Sequence, residues 1–83
     1  MSEQEVLERR IRVSRLYDLY GPLLTERQRR VYELRELDDL SLSEVAEECG
    51  ITRQGVREAL CKGEELLRDF ENRLGLLEKQ AAN

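Results

Sequence analysis

The apolar positions at the start of the chain recur at helical spacing. Residues 1–20 are predicted to form an N-terminal helix whose inner face carries Val6, Val13, Tyr17 and Tyr20, with Leu16 at its edge. A second, adjoining face carries Leu7 and Ile11, which is more apolar surface than a core helix needs. It indicates either a partner surface or packing at the end of the domain. Gly21 and Pro22 end this helix, because proline cannot continue it.

Two capping boxes mark the helix starts in the middle of the chain. Gln28 follows Thr25 by three residues, and Glu44 follows Ser41 by three, the spacing at which each side chain satisfies a free backbone amide of the other residue. The first box predicts a helix that turns Val31, Leu34 and Leu37 inward. The second predicts a short helix over residues 42–49, which Gly50 ends.

The last part of the sequence predicts one long helix. Thr52 caps its start, and no strong helix breaker follows for about 27 residues, which is about 40 Å of helix. Two sets of residues repeat every seven positions and form a seam for packing against other helices: Val56, Gly63, Phe70 and Leu77, and Leu60, Leu67 and Leu74. Gly63 allows a close helix crossing, whereas Gly75 and residues 81–83 are expected to fray.

The two helices that meet at Gly50 have the helix-turn-helix pattern. Ala46 is small where the helices cross, and Gly50 stands where the backbone needs a positive φ. The positions that must point into a shared core are all apolar: Val45, Cys49, Ile51, Val56 and Ala59. We therefore predict an all-α fold, a helix-turn-helix bundle with an N-terminal helix (1–20), a helix-turn-helix core (25–62) and a C-terminal helix extension (63–83).

Composition excludes several classes of function. The 83 residues allow one domain, 1–83. Histidine is absent, and Cys49 and Cys61 are the only cysteines, so the chain lacks the usual general base and the four ligands of a zinc site. We predict no enzymatic activity, no metal and no cofactor. The polar N-terminus and the lack of an apolar run of about 20 residues predict a cytoplasmic protein with no membrane contact.

Because the chain is acidic overall, any surface that binds nucleic acid must be a local basic patch. The chain carries 14 basic and 18 acidic residues, a net charge of −4. The outward face of the second helix nevertheless holds three basic residues and one acidic residue: Thr52, Arg53, Gln54, Arg57, Glu58, Cys61 and Lys62. Arginine reads guanine and glutamine reads adenine in the major groove. The candidate DNA-binding residues are therefore Arg53, Gln54 and Arg57 for bases, and Ser41, Thr52 and Lys62 for phosphates.

These segments also resemble known bacterial families. The segments LTERQRRV (24–31), LSEVA (42–46) and TRQGVR (52–57) resemble the promoter-binding fourth region of sigma factors. The whole chain, with LYDLY (16–20) and LDDLSL (37–42), more closely resembles the YlxM family of small helix-turn-helix proteins. That resemblance implies an all-helical fold and a DNA-binding or regulatory role connected with the signal recognition particle pathway. Glu64 and Glu65 depart from the basic sigma pattern, and no helices for binding core polymerase are present.

Two functional hypotheses follow from the sequence. The first is a regulator that binds duplex DNA as a homodimer through the two-faced first helix and the long seam, with recognition helices about 34 Å apart. The second is a protein- or RNA-interaction module that keeps the helix-turn-helix as a scaffold and binds a component of the signal recognition particle. The acidic balance of the chain and Glu44, Glu47 and Glu48 favour the second, because acids that faced a DNA backbone would repel its phosphates.

Overall fold

Five α-helices make up the fold. The computed structural model describes residues 2–82, with side chains to residue 80. The helices are α1 (Glu3–Tyr20), α2 (Glu26–Tyr32), α3 (Leu42–Cys49), α4 (Arg53–Leu74) and α5 (Leu76–Ala82). A 3₁₀ turn, Gly21–Leu23, follows α1, and a π-helical turn, Glu33–Leu37, extends α2. These described residues contain no strand, so the all-α prediction is confirmed.

Side-chain caps begin α2 and α3 as the sequence predicts. The Gln28 backbone N–H donates to Thr25 Oγ1 at 3.1 Å, and the Thr25 N–H donates to Gln28 Oε1 at 3.0 Å. At α3 the Glu44 N–H donates to Ser41 Oγ at 3.1 Å, and the Ser41 N–H donates to Glu44 Oε1 at 2.9 Å. Both capping boxes are confirmed, and they fix where the chain enters each helix.

Two hydrophobic clusters hold the helices together, and α4 contributes to both. The first cluster joins α1, α4 and α5 through Leu16, Tyr20, Leu24, Leu67 and Leu77. The second joins α2, α3 and α4 through Val31, Val45, Ala46 and Val56. The α4 seam is therefore mostly covered by helices of the same chain. Most of the seam therefore offers little apolar surface for a dimer, and Leu74, at 50% exposed, is the exception.

Two predicted core positions are also corrected. In α1 the centre of the inner face is Leu16, which is 0% exposed, whereas Val6 is 43% exposed. In the π-helical turn that follows α2, Leu37 is 60% exposed rather than inward. The cause is the π-helical turn, closed by the Asp38 N–H donating to Glu33 O at 3.0 Å. The wider turn shifts the helical phase, so the spacing of three from Leu34 no longer returns Leu37 to the core.

The long C-terminal helix ends earlier than predicted. Gly75 adopts φ 62° and ψ 26°, the left-handed conformation that favours glycine, and caps α4 after Leu74. The chain then turns back, and α5 packs against α1. As a result Leu77 is buried in the first cluster, while Leu74 is 50% exposed. Gly75 thus makes a turn rather than a frayed end. The fraying predicted for residues 81 and 82 is not seen, because α5 extends to Ala82, and Asn83 lies outside the described residues.

A buried carboxylate anchors this turn. Glu71 of α4 is only 8% exposed. Its Oε1 accepts the Tyr20 hydroxyl at 2.7 Å and the Leu77 N–H at 3.0 Å, and its Oε2 accepts the Glu78 N–H at 3.1 Å. The Tyr20 oxygen in turn accepts the Leu76 N–H at 3.0 Å. The Tyr20 hydroxyl is the main cause that lowers the pKa of Glu71, whereas burial raises the pKa of Tyr20.

The first prediction concerns the pH dependence of this anchor. Because the folded state lowers the pKa of Glu71, its carboxylate stabilises the fold above the ordinary carboxyl pKa of about 4.3 and loses that effect as pH falls through the folded pKa. Glu71→Gln should therefore lower Tm clearly at neutral pH, with a gap to wild type that closes in acid. Thermal unfolding by circular dichroism measures this. Glu65→Gln, an exposed carboxyl change on the same helix, is the control, and a gap that persists at low pH would contradict the account.

The second prediction concerns the crossing of α4 with α2 at Gly63. A methyl group at Gly63 would lie 3.9 Å from Gln28 Cβ and from Leu24 Cδ1, which is ordinary contact. Gly63→Ala should therefore raise the free energy of unfolding by about 0.5–1 kcal/mol through helix propensity. Gly21→Ala should be destabilising instead, because its methyl group would lie 3.0 Å from the Tyr17 ring. Urea unfolding measures the stability of both variants. A loss of stability in Gly63→Ala would contradict the distance at which α4 and α2 are found to cross.

Candidate nucleic-acid interface

The turn between α3 and α4 has the geometry of a helix-turn-helix. Gly50 adopts φ 65° and ψ 35°, as its position predicts. The Ile51 N–H donates to Ala46 O at 3.0 Å, which closes the end of α3. Ala46 is 8% exposed within the second cluster, in keeping with the small residue expected where the helices cross.

The inner face of the turn is packed and so fixes the direction of α4. Val45 and Val56 are both 0% exposed. Cys49, Ile51 and Ala59 are half-buried and pack against the same cluster. The five core positions predicted from the sequence are confirmed. The side chains on the other side of α4 must consequently project from the domain.

That outer face is open and cationic. It is exposed at every predicted position: Thr52, Arg53, Gln54, Arg57, Glu58, Cys61 and Lys62. Thr52 Oγ1 accepts the Gly55 N–H at 2.9 Å and so caps α4. Across residues 2–80, neither Arg53 nor Arg57 forms an ion pair or a side-chain hydrogen bond. Both guanidinium groups therefore keep their donors for a ligand.

Lys62 is only weakly engaged. Its Nζ lies 3.7 Å from Glu65 Oε2, and both side chains are more than 70% exposed. An ion pair so open to water contributes little energy. Lys62 is therefore free to exchange Glu65 for another anion.

A residue that the sequence analysis did not single out borders the same surface. A shallow groove between α2 and α4 is lined by Arg27 and Gln28 on one side and by Gly55, Glu58 and Lys62 on the other. Arg27 is exposed. In the sequence it is one arginine of a polar run, and only the crossing of α2 over α4 shows that it lines the same groove as Lys62.

Ser41 is placed apart from the other candidate residues. It caps the start of α3, at the opposite end of that helix from the turn. Its backbone N–H and its hydroxyl oxygen are both engaged with Glu44. Hydrogen bonds from the Ser41 backbone and side chain lower the pKa of Glu44. A carboxylate thus stands where a phosphate would have to approach Ser41.

The outer face of α3 is acidic. Glu44, Glu47 and Glu48 are all exposed. Glu48 Oε2 lies 3.7 Å from Arg30 of α2, again between exposed side chains. The helix-turn-helix therefore presents a cationic outer face on the first turns of α4 beside an anionic outer face on α3.

Other kinds of site find no support in the part of the chain described here. No group of three potential ligands among His, Cys, Asp and Glu lies close enough in the described residues to hold a metal ion. Cys49 and Cys61 are both free thiols. None of the described helices combines the length and the apolar character needed to cross a membrane.

A comparison with protein families shows to which family this chain belongs. Residues 7–83 match the family UPF0122, described as "Putative helix-turn-helix protein, YlxM / p13 like". The chain belongs to this family. The resemblance to the YlxM family seen in the sequence is thereby confirmed, and so is the helix-turn-helix on which the site is built.

Curated relatives agree with the family match. A UPF0122 protein of Caldanaerobacter subterraneus subsp. tengcongensis is 48% identical over 77% of this chain and 55% of its own length. One from Symbiobacterium thermophilum is 44% identical over 80% of this chain and 62% of its own. One from Halalkalibacterium halodurans is 42% identical over 89% and 68%. The chain thus spans about half to two thirds of the curated relatives it matches.

The third prediction tests the turn that orients the outer face. In Gly50→Ala a side chain would be forced into the left-handed conformation, although nothing lies within 4 Å of the new methyl group. The cost should be about 1–2 kcal/mol of unfolding free energy, from backbone strain alone. Chemical denaturation measures it. Ser43→Ala, on the exposed side of α3, is the control, and a Gly50→Ala protein as stable as wild type would show that the turn does not need glycine.

Proposed function

We propose that this protein is a helix-turn-helix regulator that binds duplex DNA through the first turns of α4. The observation that carries the proposal is the pair Arg53 and Arg57, exposed and without ion pairs within residues 2–80. Gln54 stands between them on the same helix. Arginine and glutamine in the first turns of a recognition helix are the residue types that contact base edges in the major groove.

Phosphate contacts complete the proposed interface. Lys62 can exchange its weak pair with Glu65 for a phosphate, and Thr52 lies at the α4 N-terminus, where free amides favour an anion. Ser41 is the weakest member of the proposed set, because Glu44 occupies its amide. Arg27, across the groove from Lys62, adds a further cation to the same side.

The proposed regulator is a homodimer that acts in connection with the signal recognition particle pathway. The pathway comes from the family resemblance alone. The dimer rests on Leu7 and Ile11 of α1, which are 57% and 51% exposed, and no longer on the α4 seam. A two-fold dimer would place its recognition helices about 34 Å apart to reach successive major grooves.

The fourth prediction is a DNA titration. Wild-type protein should select preferred duplexes from a randomised pool and bind them with an affinity that falls steeply with salt. Arg53→Ala with Gln54→Ala should lose the sequence preference, at about 1–3 kcal/mol for each base contact. Lys62→Ala should weaken all duplexes alike and reduce the salt slope by about one.

A matched control removes the same two residue types elsewhere. Arg73→Ala with Gln80→Ala changes exposed positions at the far end of α4 and in α5, so it should bind like wild type. Failure of wild-type protein to bind any duplex at about 50 mM salt, where non-specific contacts are strong, would overturn the proposal.

The exposed acids of α3 favour a second candidate function. Glu44, Glu47 and Glu48 suit a basic partner surface better than a phosphate backbone. In this case the helix-turn-helix is a scaffold that binds a protein of the signal recognition particle or the polymerase. The same acids do not favour the RNA of the particle, because RNA has a phosphate backbone of its own. Glu47→Gln with Glu48→Gln should then weaken the complex with such a partner, whereas the same variant should bind DNA at least as well as wild type.

A further inference from the structure

A cavity lies between the first half of α1 and the rest of the domain. Its volume is about 230 Å³, and it is partly open to solvent. Three elements line it: α1 on one side, α2 with its π-helical turn on the second, and α4 on the third. Aliphatic side chains make up much of the wall, among them Val13, Leu24, Leu60 and Leu67. The interior of the cavity therefore suits an apolar group.

A glycine in the wall of the cavity keeps this space open. Gly63 lies in the interior of α4, where glycine is less favourable than alanine. The crossing of α4 with α2 does not require glycine, since an added methyl group would meet Gln28 Cβ and Leu24 Cδ1 only at 3.9 Å. Both of those residues line the cavity, so the methyl group would take up cavity space. A residue that breaks a local rule of stability is expected at a functional site.

Two ion pairs between the elements form the edge of the cavity. Arg9 of α1 donates from Nε to Glu64 Oε1 at 2.9 Å and from a second nitrogen to Glu64 Oε2 at 3.0 Å. Arg10 pairs with Glu36 of the π-helical turn at 3.2 Å. All four residues line the cavity. Arginines on α1 thus face carboxylates on the other two elements across its edge.

The arginines at this edge outnumber the carboxylates. Glu64 Oε1 also accepts a hydrogen bond from Arg68 at 2.7 Å. Among residues 2–80, three guanidinium groups therefore share Glu64 and Glu36, which leaves one positive charge in excess. An added carboxylate could pair with Arg9 while Glu64 keeps Arg68, so that each cation has an anion of its own. Guanidinium and carboxylate groups form strong, often bidentate pairs.

We propose that the cavity binds a small organic carboxylate, with its apolar body inside and its charged group on Arg9. A cavity of about 150 Å³ holds one benzene molecule, so the volume here has room for about nine or ten non-hydrogen atoms. Gln28 offers a further donor, because its Oε1 accepts the Thr25 N–H at 3.0 Å and its amide nitrogen is left for the ligand. An apolar pocket with a few converging polar groups is typical of small-molecule sites. An amine is disfavoured, because it would add to the excess positive charge.

This site lies apart from the proposed DNA-binding face. Within residues 2–80, no candidate DNA-binding residue belongs to the lining of the cavity. The inference therefore goes beyond the proposed function and does not rest on it. A ligand in the cavity would contact α1, α2 and α4 together, so it should stabilise the fold by mass action. The DNA titration and the ligand titration can fail independently.

The fifth prediction is a titration of the isotope-labelled chain, followed by NMR. The probes are benzoate, cyclohexanecarboxylate and octanoate, each compared with the alcohol of the same carbon skeleton. At least one carboxylate should shift the amide signals of cavity residues such as Leu60 and Gly63, with a dissociation constant of about 1 mM or lower. Its alcohol should bind about fivefold more weakly or worse, because it lacks the charge that pairs with Arg9. Dissociation constants above about 1 mM for all the carboxylates, or an alcohol that binds as tightly as its acid, would refute the site.

Variants of the charged edge test where the carboxylate binds. Arg9→Gln should weaken binding about fivefold or more, whereas Arg12→Gln, which lies on α1 outside the lining, should bind like wild type. Glu64→Gln should instead strengthen binding, because Arg9 then has no competing carboxylate from Glu64. Glu65→Gln is the matched control and should change nothing. Equal affinities of Arg9→Gln and Arg12→Gln are incompatible with a carboxylate on Arg9.

Substitutions at Gly63 test the cavity space itself. Gly63→Ala is expected to be more stable than wild type, so weaker binding by this variant cannot come from unfolding. It should bind the carboxylate about threefold more weakly or worse, because the methyl group crowds the ligand. Gly63→Leu, with a larger side chain, should show no detectable binding while it keeps its helical circular dichroism spectrum. Binding like wild type by either folded variant would mean that the ligand lies elsewhere.

Discussion

The position of α1 against the rest of the molecule depends on one buried carboxylate. Glu71 lies where α1, α4 and α5 meet, and a charge in that place would be costly without partners. Its oxygens accept the Tyr20 hydroxyl from α1 and two amides from the start of α5. One group therefore satisfies the free N-terminus of α5 and fixes the last turn of α1 beside α4. With α5 held in place, Leu77 completes the first hydrophobic cluster.

The long α4 helix connects this anchor to the proposed interface. Its C-terminal half belongs to the cluster around Tyr20, and its N-terminal half belongs to the cluster around Val56. Gly63 lies between them, where α4 crosses α2 in ordinary contact. Because packed side chains fix α4 at both ends, the outer residues Arg53 and Arg57 are presented by a rigid element. Such pre-organisation reduces the entropy that base recognition must overcome.

Features that depend on local chemistry could be predicted from the sequence, whereas those that depend on tertiary contacts could not. The capping boxes at Thr25 and Ser41 and the left-handed Gly50 follow from neighbouring residues alone, and so does the apolar pattern of the turn. The π-helical turn that exposes Leu37 has no such local signal. The sequence signal at Gly75 is ambiguous, because a glycine near the end of a helix can mark either a frayed end or a turn. Its turn is decided by Glu71 and Tyr20, which are far apart in the sequence.

The net charge of −4 does not argue against a nucleic-acid surface, because the acids and the free cations lie in different places. Several glutamates serve the fold itself: Glu33 accepts the Tyr17 hydroxyl, Glu44 caps α3, and Glu64 pairs with both Arg9 and Arg68. At physiological ionic strength a charge acts over about 8 Å, so a phosphate at the first turns of α4 responds to the side chains nearest to it. Those are Arg53 and Arg57, which form no ion pair within residues 2–80, and the weakly held Lys62, with Glu58 as the acid among them. In the proposed complex, the acidic face of α3 would limit how the duplex can lie and would favour an approach from the side of α2, where Arg27 stands.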